Sequence, residues 1–358
     1  MRRVVGWSML AAPLALLSCQ AGAPASARAS GLRVERVATL EYPPSALAEG
    51  APAPLAAADD GGRVYLLAGA PPRLLVFDSA GASTVEPRGA GVSFQLPTHF
   101  TAEADGTLGV FDRGQRGLVV LRHGGAQHRV ALPQPPQGER VALDGLGAVA
   151  VFGDLDTEAG TVLYRLAMVT GPRERVLGRL ERPLPSVVEY DGCGVSHIRS
   201  RLFERQIVWD ERDGLVAAAF GPEYAIELFR GGQPADTLRR DVPARPVSTA
   251  MAAREVGEDV RFQAGPSTCS ATKEAVAAER GWAETVPHVT DVRISPAGEV
   301  WVQRGAARGE VPAVEVFAAD GGFLGGLPAG TPFPGAFTGP DSYVARDEQG
   351  LARYRIRR

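Results

Sequence analysis

Two cysteines and a histidine could together bind a metal ion, and the two cysteines could instead form a disulfide. Cys193 and His197 lie four positions apart in the segment EYDGCGVSH, and Cys269 lies in PSTCSAT. Thiolate and imidazole groups bind zinc, with His288 or Cys269 as a further ligand, although the glycines that flank Cys193 disfavour a helix there. Outside the cytoplasm such a cysteine pair is typical of a disulfide. We expect a disulfide between Cys193 and Cys269; the metal site and two unpaired thiols are the alternatives.

Carboxylates and histidines offer weaker signals. The run Asp154-Leu-Asp156-Thr-Glu158-Ala-Gly160 spaces acids like a calcium loop, but its glycine comes at the seventh place and its twelfth position is Arg165. A solvated hairpin turn is therefore expected there. His99 and His197 could each act as a base, although a lone histidine is more often structural. The sequence contains no Gly-x-Ser-x-Gly nucleophile motif.

The composition limits the classes of partner. The formal net charge is −3 and no basic block occurs, which excludes a typical nucleic-acid-binding surface. The 43 glycines and 28 prolines favour many turns over long helices. Because the chain has no asparagine, no site can use an asparagine amide as a ligand, and no N-glycan can attach.

The amino-terminal segment has the features of a secretion signal. Two arginines precede the apolar run Val4 to Leu17, which is shorter than the about 20 residues of a membrane-spanning helix. The run ends in Leu16-Leu17-Ser18-Cys19, which resembles the lipobox of bacterial lipoproteins. The resemblance implies cleavage before Cys19, lipid on its thiol and anchoring in the bacterial cell envelope, where Gln20 favours the outer membrane. A secreted protein with an incidental Cys19 is the alternative.

These features divide the chain into a signal peptide at 1–18, a flexible tether at 19–30 and a folded domain at 31–358. Within the domain, residues 62–81 (GRVYLLAGAPPRLLVFDSAG) align without a gap with residues 106–125 (GTLGVFDRGQRGLVVLRHGG). Each unit is a turn, a short apolar strand, a tight connection and a second strand, which predicts a β-hairpin. A lone hairpin is marginally stable in water, so the units must bury their faces on one another. The polar residues around Asp112 and Arg113, which the repeat replaces with Ala68 and Gly69, then belong to a variable turn rather than a shared site.

Further copies bring the count to six units, starting near Asp59, Ala104, Val141, Asp210, Ser295 and Ser342. The last copy lacks an outer strand, which the segment 31–42 can supply, closing a ring and removing an exposed sheet edge. This pattern resembles the six-bladed β-propellers of the NHL-like and TolB-like superfamily. The resemblance implies an all-β fold of four-stranded blades around a central channel. A pair of β-sandwiches is the alternative.

The repeat breaks between the fourth and fifth units, at residues 246–286. The segment STCSATKEAVAAERGWAE predicts a helix that is capped by Ser270 and places Ala275, Ala278 and Trp282 on one side. Connections between blades lie on the faces of a propeller, so this insertion should lie over one mouth of the channel. It could act as a lid, but a docked structural helix is the favoured interpretation.

Two functions from different classes follow. The first is a membrane-anchored, extracytoplasmic, monomeric and non-catalytic propeller that binds a small molecule or a partner protein at the mouth under the insertion. The residues expected there are His99, Tyr190, Asp191, His197, Tyr224 and Trp282. The second function, implied by the resemblance to calcium-dependent lactonases and arylesterases, is a hydrolase with Ca²⁺ held by Glu, Asp and Asn. The missing asparagine favours the first.

Overall fold

The structure, a computed structural model, describes residues 31–41, 55–68, 73–78, 83–85, 94–115, 117–122, 127–145, 147–190 and 195–358. In these ranges the chain forms six four-stranded sheets and two separate two-stranded hairpins, all with antiparallel pairing. The six sheets follow one another along the chain, so the architecture is the predicted six-bladed β-propeller. Across the same ranges no helix has both the length and the apolar character that crossing a membrane requires.

The first half of the ring contains three blades. β1 (Arg33–Thr39) precedes them and belongs to the last blade. Blade 1 consists of β2 (Leu55–Ala58), β3 (Val64–Ala68), β4 (Arg73–Phe77) and β5 (Ser83–Val85). Blade 2 consists of β6 (Pro97–Ala102), β7 (Leu108–Asp112), β8 (Gly117–Leu121) and β9 (Gln127–Val130). Blade 3 consists of β10 (Gln137–Asp144), β11 (Gly147–Asp156), β12 (Thr161–Thr170) and β13 (Arg173–Pro183).

The second half contains three blades and two additional units. A hairpin of β14 (Ser186–Tyr190) and β15 (Val195–Arg199) precedes blade 4, which consists of β16 (Val208–Arg212), β17 (Leu215–Ala219), β18 (Ala225–Arg230) and β19 (Gln233–Arg239). The insertion contains α1 (Thr249–Val256), β20 (Val260–Ala264), β21 (Ser267–Ala271) and α2 (Lys273–Arg280). Blade 5 consists of β22 (Val289–Ile294), β23 (Val300–Arg304), β24 (Val314–Phe317) and β25 (Phe323–Gly326). Blade 6 consists of β26 (Ala336–Gly339), β27 (Ser342–Asp347), β28 (Gly350–Arg357) and β1.

The ring closes as the sequence predicts. β1 pairs with β28 along its whole length, from Arg33 opposite Arg357 to Thr39 opposite Ala352. Leu32 and Leu40, which flank this strand, are both buried. The amino-terminal strand therefore completes the blade that the carboxyl-terminal residues begin, and no edge of β28 is left open.

Apolar faces of neighbouring blades pack on each other. In one core cluster, for example, Leu228 of blade 4 packs with Val302 of blade 5. In another, Phe111 of blade 2 packs with Ala148 and Ala150 of blade 3. The innermost strands β2, β6, β10, β16, β22 and β26 surround the channel. Their first residues surround one opening, here named the start mouth, and their last residues surround the other, here named the end mouth.

The insertion contains the expected helix but with a different cap. Thr272 caps α2, since its Oγ1 accepts a hydrogen bond from the Ala275 amide at 3.2 Å. The prediction of Ser270 as the cap is wrong because Ser270 lies inside β21, opposite Arg261. The buried face of α2 is also different from the predicted one and consists of Val276 rather than Ala275, together with Ala277 rather than Ala278.

Candidate functional site

A cavity opens at the start mouth between blades 3, 4 and 5. Its volume is about 380 Å³, within the range of small-molecule sites. The first residues of three innermost strands contribute to it, namely Gln137, Val208 and Val289. The remainder of the lining comes from the long strands of blade 3 and from the connections that lead into blades 4 and 5. We name this cavity the mouth pocket.

Blade 3 forms one wall because its strands are longer than those of the other blades. β11 pairs with β10 only up to Val151, and then continues to Asp156 beyond the start of β10. Val151, where this extension begins, lines the pocket together with Tyr164 of β12 and Arg182 of β13. The opposite wall is the segment that follows the β14–β15 hairpin, residues 200–207.

An ion pair joins the two walls. Arg182 Nη2 lies 2.5 Å from Glu204 Oε2, and the two side chains are 12% and 10% exposed. The Arg182 guanidinium also lies over the ring of Tyr164, 5.1 Å from its centroid. A charge-assisted bond in such a shielded position is stronger than one in water. The pair therefore fixes the width of the pocket.

The floor of the mouth pocket is a second arginine, Arg140 of β10. Its Nη1 donates to the carbonyls of Trp209 at 2.5 Å and Val292 at 3.0 Å, and its Nη2 lies 2.5 Å from Asp291 Oδ1. Arg293 donates to the same Asp291 oxygen at 3.0 Å. One guanidinium thus ties the innermost strands of blades 3, 4 and 5 together across the channel.

The central channel continues below this floor as a narrower cavity of about 230 Å³. All six innermost strands contribute residues to its lining, and Gly335, directly before β26, also contributes. Arg140, Trp209 and Asp291 line both cavities. These residues therefore form a partition between the mouth pocket and the rest of the channel.

Carboxyl groups gather at the end mouth. Burial raises the pKa of Glu211 to about 9, and the charge of nearby Glu103 adds to the shift. Burial likewise raises the pKa of Glu103 to about 7 and that of Asp210 to about 6. Arg212, the nearby cation, is held in an ion pair by Asp60 of blade 1. The end mouth therefore holds protons that the unfolded chain would release near pH 4.

Stability should consequently fall as pH rises through the neutral range. A raised carboxyl pKa means that the folded state binds more protons than the unfolded state between about pH 4.5 and 9, so the free energy of unfolding decreases across that window. Glu211→Gln keeps an oxygen to accept the Gly214 amide, now 2.9 Å from Oε1, and removes the titration. We expect this variant to be more stable than the parent by about 4 kcal/mol at pH 8 and by less than about 1 kcal/mol at pH 5.

Urea unfolding at the two pH values measures this effect. Glu348→Gln is the matched control, because Glu348 is an exposed carboxyl in a turn of blade 6 and should change neither value. An equal gain in stability for Glu211→Gln at both pH values would show that the gain does not come from removing the titration of Glu211.

Of the six residues expected at the mouth, His99 has a structural position. It lies in β6 and is buried, with Nδ1 at 2.9 Å from Thr98 Oγ1 and Nε2 at 3.0 Å from the Gly138 carbonyl. Burial lowers the pKa of this imidazole. Both ring nitrogens are occupied, and Phe111 packs against the ring at 5.7 Å.

Tyr190 and His197 do come together, but inside the core of the additional units. Their ring centroids are 5.2 Å apart, and both rings contact Phe262 of β20. Asp191 and Cys193 lie outside the described residues, as do Cys19 and the whole signal and tether region.

The last two expected residues lie in other places. Tyr224 is buried between blades 4 and 5, where it packs on Phe317 and lies beside Arg240. Trp282 pairs with Leu202 in an isolated bridge, and its carbonyl accepts a hydrogen bond from Arg201. The structure therefore does not gather the five described residues of this set into one site, although Trp282 supports the segment that forms a wall of the mouth pocket.

Sequence reasoning did not identify the residues that line the mouth pocket. Arg140, Arg182, Glu204 and Asp291 carry no motif, and they come from four separate parts of the chain. A signal did exist for the β14–β15 hairpin, because the short segments SVVEY and VSHIR, which contain β-branched and aromatic residues, flank the glycine-containing sequence DGCG.

The described residues do not fit a resident metal ion. They contain no group of three or more His, Cys, Asp or Glu side chains that could hold one. In the calcium-like run, Asp154 is paired with Arg165, and Asp156 Oδ1 accepts the amides of Glu158 and Ala159 at 3.0 and 2.9 Å. This run is a hairpin turn, and the two acids of the mouth pocket are both paired with arginines.

Comparison with known proteins concerns the fold alone. No protein-family model and no curated protein matches the chain. Similar solved structures include a streptogramin B lyase (11% identity, TM-score 0.36, covering 91% of this chain and 98% of that one). They also include a gluconolactonase from Xanthomonas campestris (12%, 0.40, 85% and 85%) and an exported protein from Bacteroides fragilis (10%, 0.44, 91% and 95%). By its own strand topology, the chain is a six-bladed β-propeller with a small helical insertion between blades 4 and 5.

Proposed function

We propose that this protein is a lipid-anchored, non-catalytic propeller of the bacterial cell envelope that binds a small water-soluble ligand in the mouth pocket. The observation that carries the proposal is the pocket itself, a concave cavity of about 380 Å³ at the channel opening. Its walls mix aliphatic, aromatic and polar groups, as ligand sites do. Its carboxylates are held by arginines and so are poorly placed to act as bases, which favours binding over hydrolysis.

A screen of small molecules by ligand-observed NMR tests the binding site. Thr290 is exposed on the rim of the pocket, and Thr290→Trp should fill the cavity without disturbing a core. Ligands of the parent protein should lose binding to this variant and keep it in Gln233→Trp, a change at an exposed position of β19. Ligands that bind all three proteins equally would place the site elsewhere.

The lipid anchor is tested at Cys19. A labelled fatty acid fed to an expressing bacterium should appear in the full-length protein, and the protein should sediment with membranes. Cys19→Ala should abolish both the label and the sedimentation, because the thiol receives the first lipid. A Cys19→Ala protein that still sediments with membranes would contradict the anchor. Cys193→Ala is the control and should keep the label.

We also propose the disulfide between Cys193 and Cys269. Cys269 is fully buried and shares an apolar cluster with Tyr190, three positions before Cys193. Phe262, which lies opposite Cys269 in the β20–β21 hairpin, contacts the Tyr190 ring at 5.2 Å. The bond would link the β14–β15 hairpin to the insertion and close a long loop, for a stabilisation of roughly 4 kcal/mol in the chain-entropy description.

Alkylation of the unfolded, unreduced protein should label neither cysteine, and prior reduction should expose both. Cys193→Ser, Cys269→Ser and the double variant should lose similar amounts of stability, since each removes the same bond. Additive losses in the double variant would contradict a shared bond.

Binding of a partner protein is the second candidate function. The five most exposed large aliphatic side chains among the described residues all lie in segments on the start-mouth side: Leu96, Leu155, Val187, Ile198 and Val311. Apolar groups gathered on one face are typical of interaction surfaces.

The hydrolase alternative requires Ca²⁺. If the binding proposal is right, millimolar Ca²⁺ followed by EDTA should leave the melting temperature of the protein unchanged. A rise of several degrees with Ca²⁺ would favour the hydrolase.

A further inference from the structure

The charges of the mouth pocket are paired with one another. The lining contains four charged side chains, two arginines and two acids: Arg140, Arg182, Glu204 and Asp291. Arg182 is paired with Glu204, and Arg140 with Asp291, each at 2.5 Å. The formal charge of the lining is therefore zero, and neither carboxylate is left to attract a cation by itself.

The two arginines are largely shielded from a ligand by the protein. Arg140 makes three hydrogen bonds to groups on blades 4 and 5. Arg182 bonds Glu204 through Nη2, its Nε is buried without a hydrogen-bond partner among the described residues, and the flat face of its guanidinium is covered by Tyr164. An anionic ligand that bound Arg182 would have to break its pair with Glu204, which would leave that shielded carboxylate without its arginine at a cost of several kcal/mol.

The accessible polar groups of the pocket are uncharged. Gln137 and Gln206 line it from opposite walls and are both exposed, and the hydroxyl residues Ser200 and Thr290 lie between the walls. A glutamine amide both donates and accepts hydrogen bonds, which matches another amide. Aliphatic side chains complete the lining, notably Val151, Ile207, Val289 and Pro287.

We infer that the mouth pocket selects an uncharged, amide-bearing molecule with an aliphatic group, and that it discriminates against anions and cations of the same shape. This inference rests on the proposed binding function and adds the chemical class of the ligand. Discrimination comes from the arginine–acid pairs, which offer a charged ligand no free counter-charge while the pocket removes part of its water.

Three probes that share the leucine side chain and differ in charge test the inference on the full-length protein. N-acetyl-leucinamide is neutral, N-acetyl-leucine is an anion and leucinamide is a cation at pH 7. Titrations followed by NMR should give the neutral probe an affinity at least tenfold above that of either charged probe. Gln137→Ala and Gln206→Ala should each weaken the neutral probe by about threefold to tenfold.

Charge variants give a sharper readout. Glu204→Gln leaves Arg182 without its partner and should improve the affinity for N-acetyl-leucine at least tenfold, whereas Arg182→Gln should do the same for leucinamide. Equal or tighter binding of a charged probe by the parent protein would overturn the inference while leaving the pocket as a binding site. Failure of all three probes, when the fragment screen has found ligands that Thr290→Trp excludes, would overturn it as well. Failure of that screen would instead overturn the proposed function. If either charge variant does not fold, the ranking of the three probes by the parent protein decides alone.

Discussion

Replacing Arg140 with methionine is expected to lower the free energy of unfolding by about 3 kcal/mol. The Arg140 guanidinium donates hydrogen bonds to the Trp209 and Val292 carbonyls and to the Asp291 carboxylate, which lie on the innermost strands of two other blades. Methionine retains most of the aliphatic packing but none of these bonds. It also leaves Asp291 with Arg293 as its remaining arginine partner.

Urea unfolding measures the loss, with Arg179→Met as the matched control. Arg179 is an exposed arginine on β13 of the same blade, so its replacement should cost less than about 0.5 kcal/mol. Arg140→Lys should fall between the two, because one ammonium cannot reproduce the forked geometry of a guanidinium. An Arg140→Met protein as stable as the parent would show that the partition does not hold the blades together.

Removing β1 is expected to have a larger effect, namely loss of cooperative folding. A chain that starts at Glu41 lacks the strand that pairs with β28 from Arg357 to Ala352. It also lacks Leu32 and Leu40, which are 7% and 2% exposed. The variant should expose β28 as an open edge, which is a template for pairing between molecules.

Size-exclusion chromatography and circular dichroism test this expectation. A chain that starts at Gly31 is the matched control, since it keeps the whole strand, and it should elute as a monomer with one sharp unfolding transition. The chain from Glu41 should aggregate or melt broadly. If it elutes and melts like the control, the propeller folds without the fourth strand of blade 6, and the closure by β1 is dispensable.

Both expectations concern the same ring, but only the second was accessible from the sequence. The hairpin repeat, the six units, the closing strand at 31–42 and the insertion between blades 4 and 5 are confirmed by the structure. They depend on local signals, since apolar alternation and turn residues act over a few neighbouring positions. The segment ADGTLGVFDRGQRGLVVLRHGG is the clearest case, because its described residues contain β7 and β8, which pair at the middle of blade 2.

Local signals also compete with each other, and the cap of α2 shows the result. Ser270 and Thr272 can both cap a helix, but the backbone of Ser270 is used by the β20–β21 hairpin opposite Arg261. The cap therefore moves to Thr272. The sequence alone could not rank the two, because the pairing that decides between them was not predicted.

The sequence by itself determined the repeat, the number of blades and the way the ring closes, since these follow from periodic apolar patterns along the chain. The mouth pocket was decided only by the tertiary structure. Arg140 and Asp291 are separated by 151 positions, and a pair of this kind leaves no periodic mark on either segment. It is the circular arrangement of the blades that brings the first residues of distant strands to one mouth, and with them the arginines and acids that pair there.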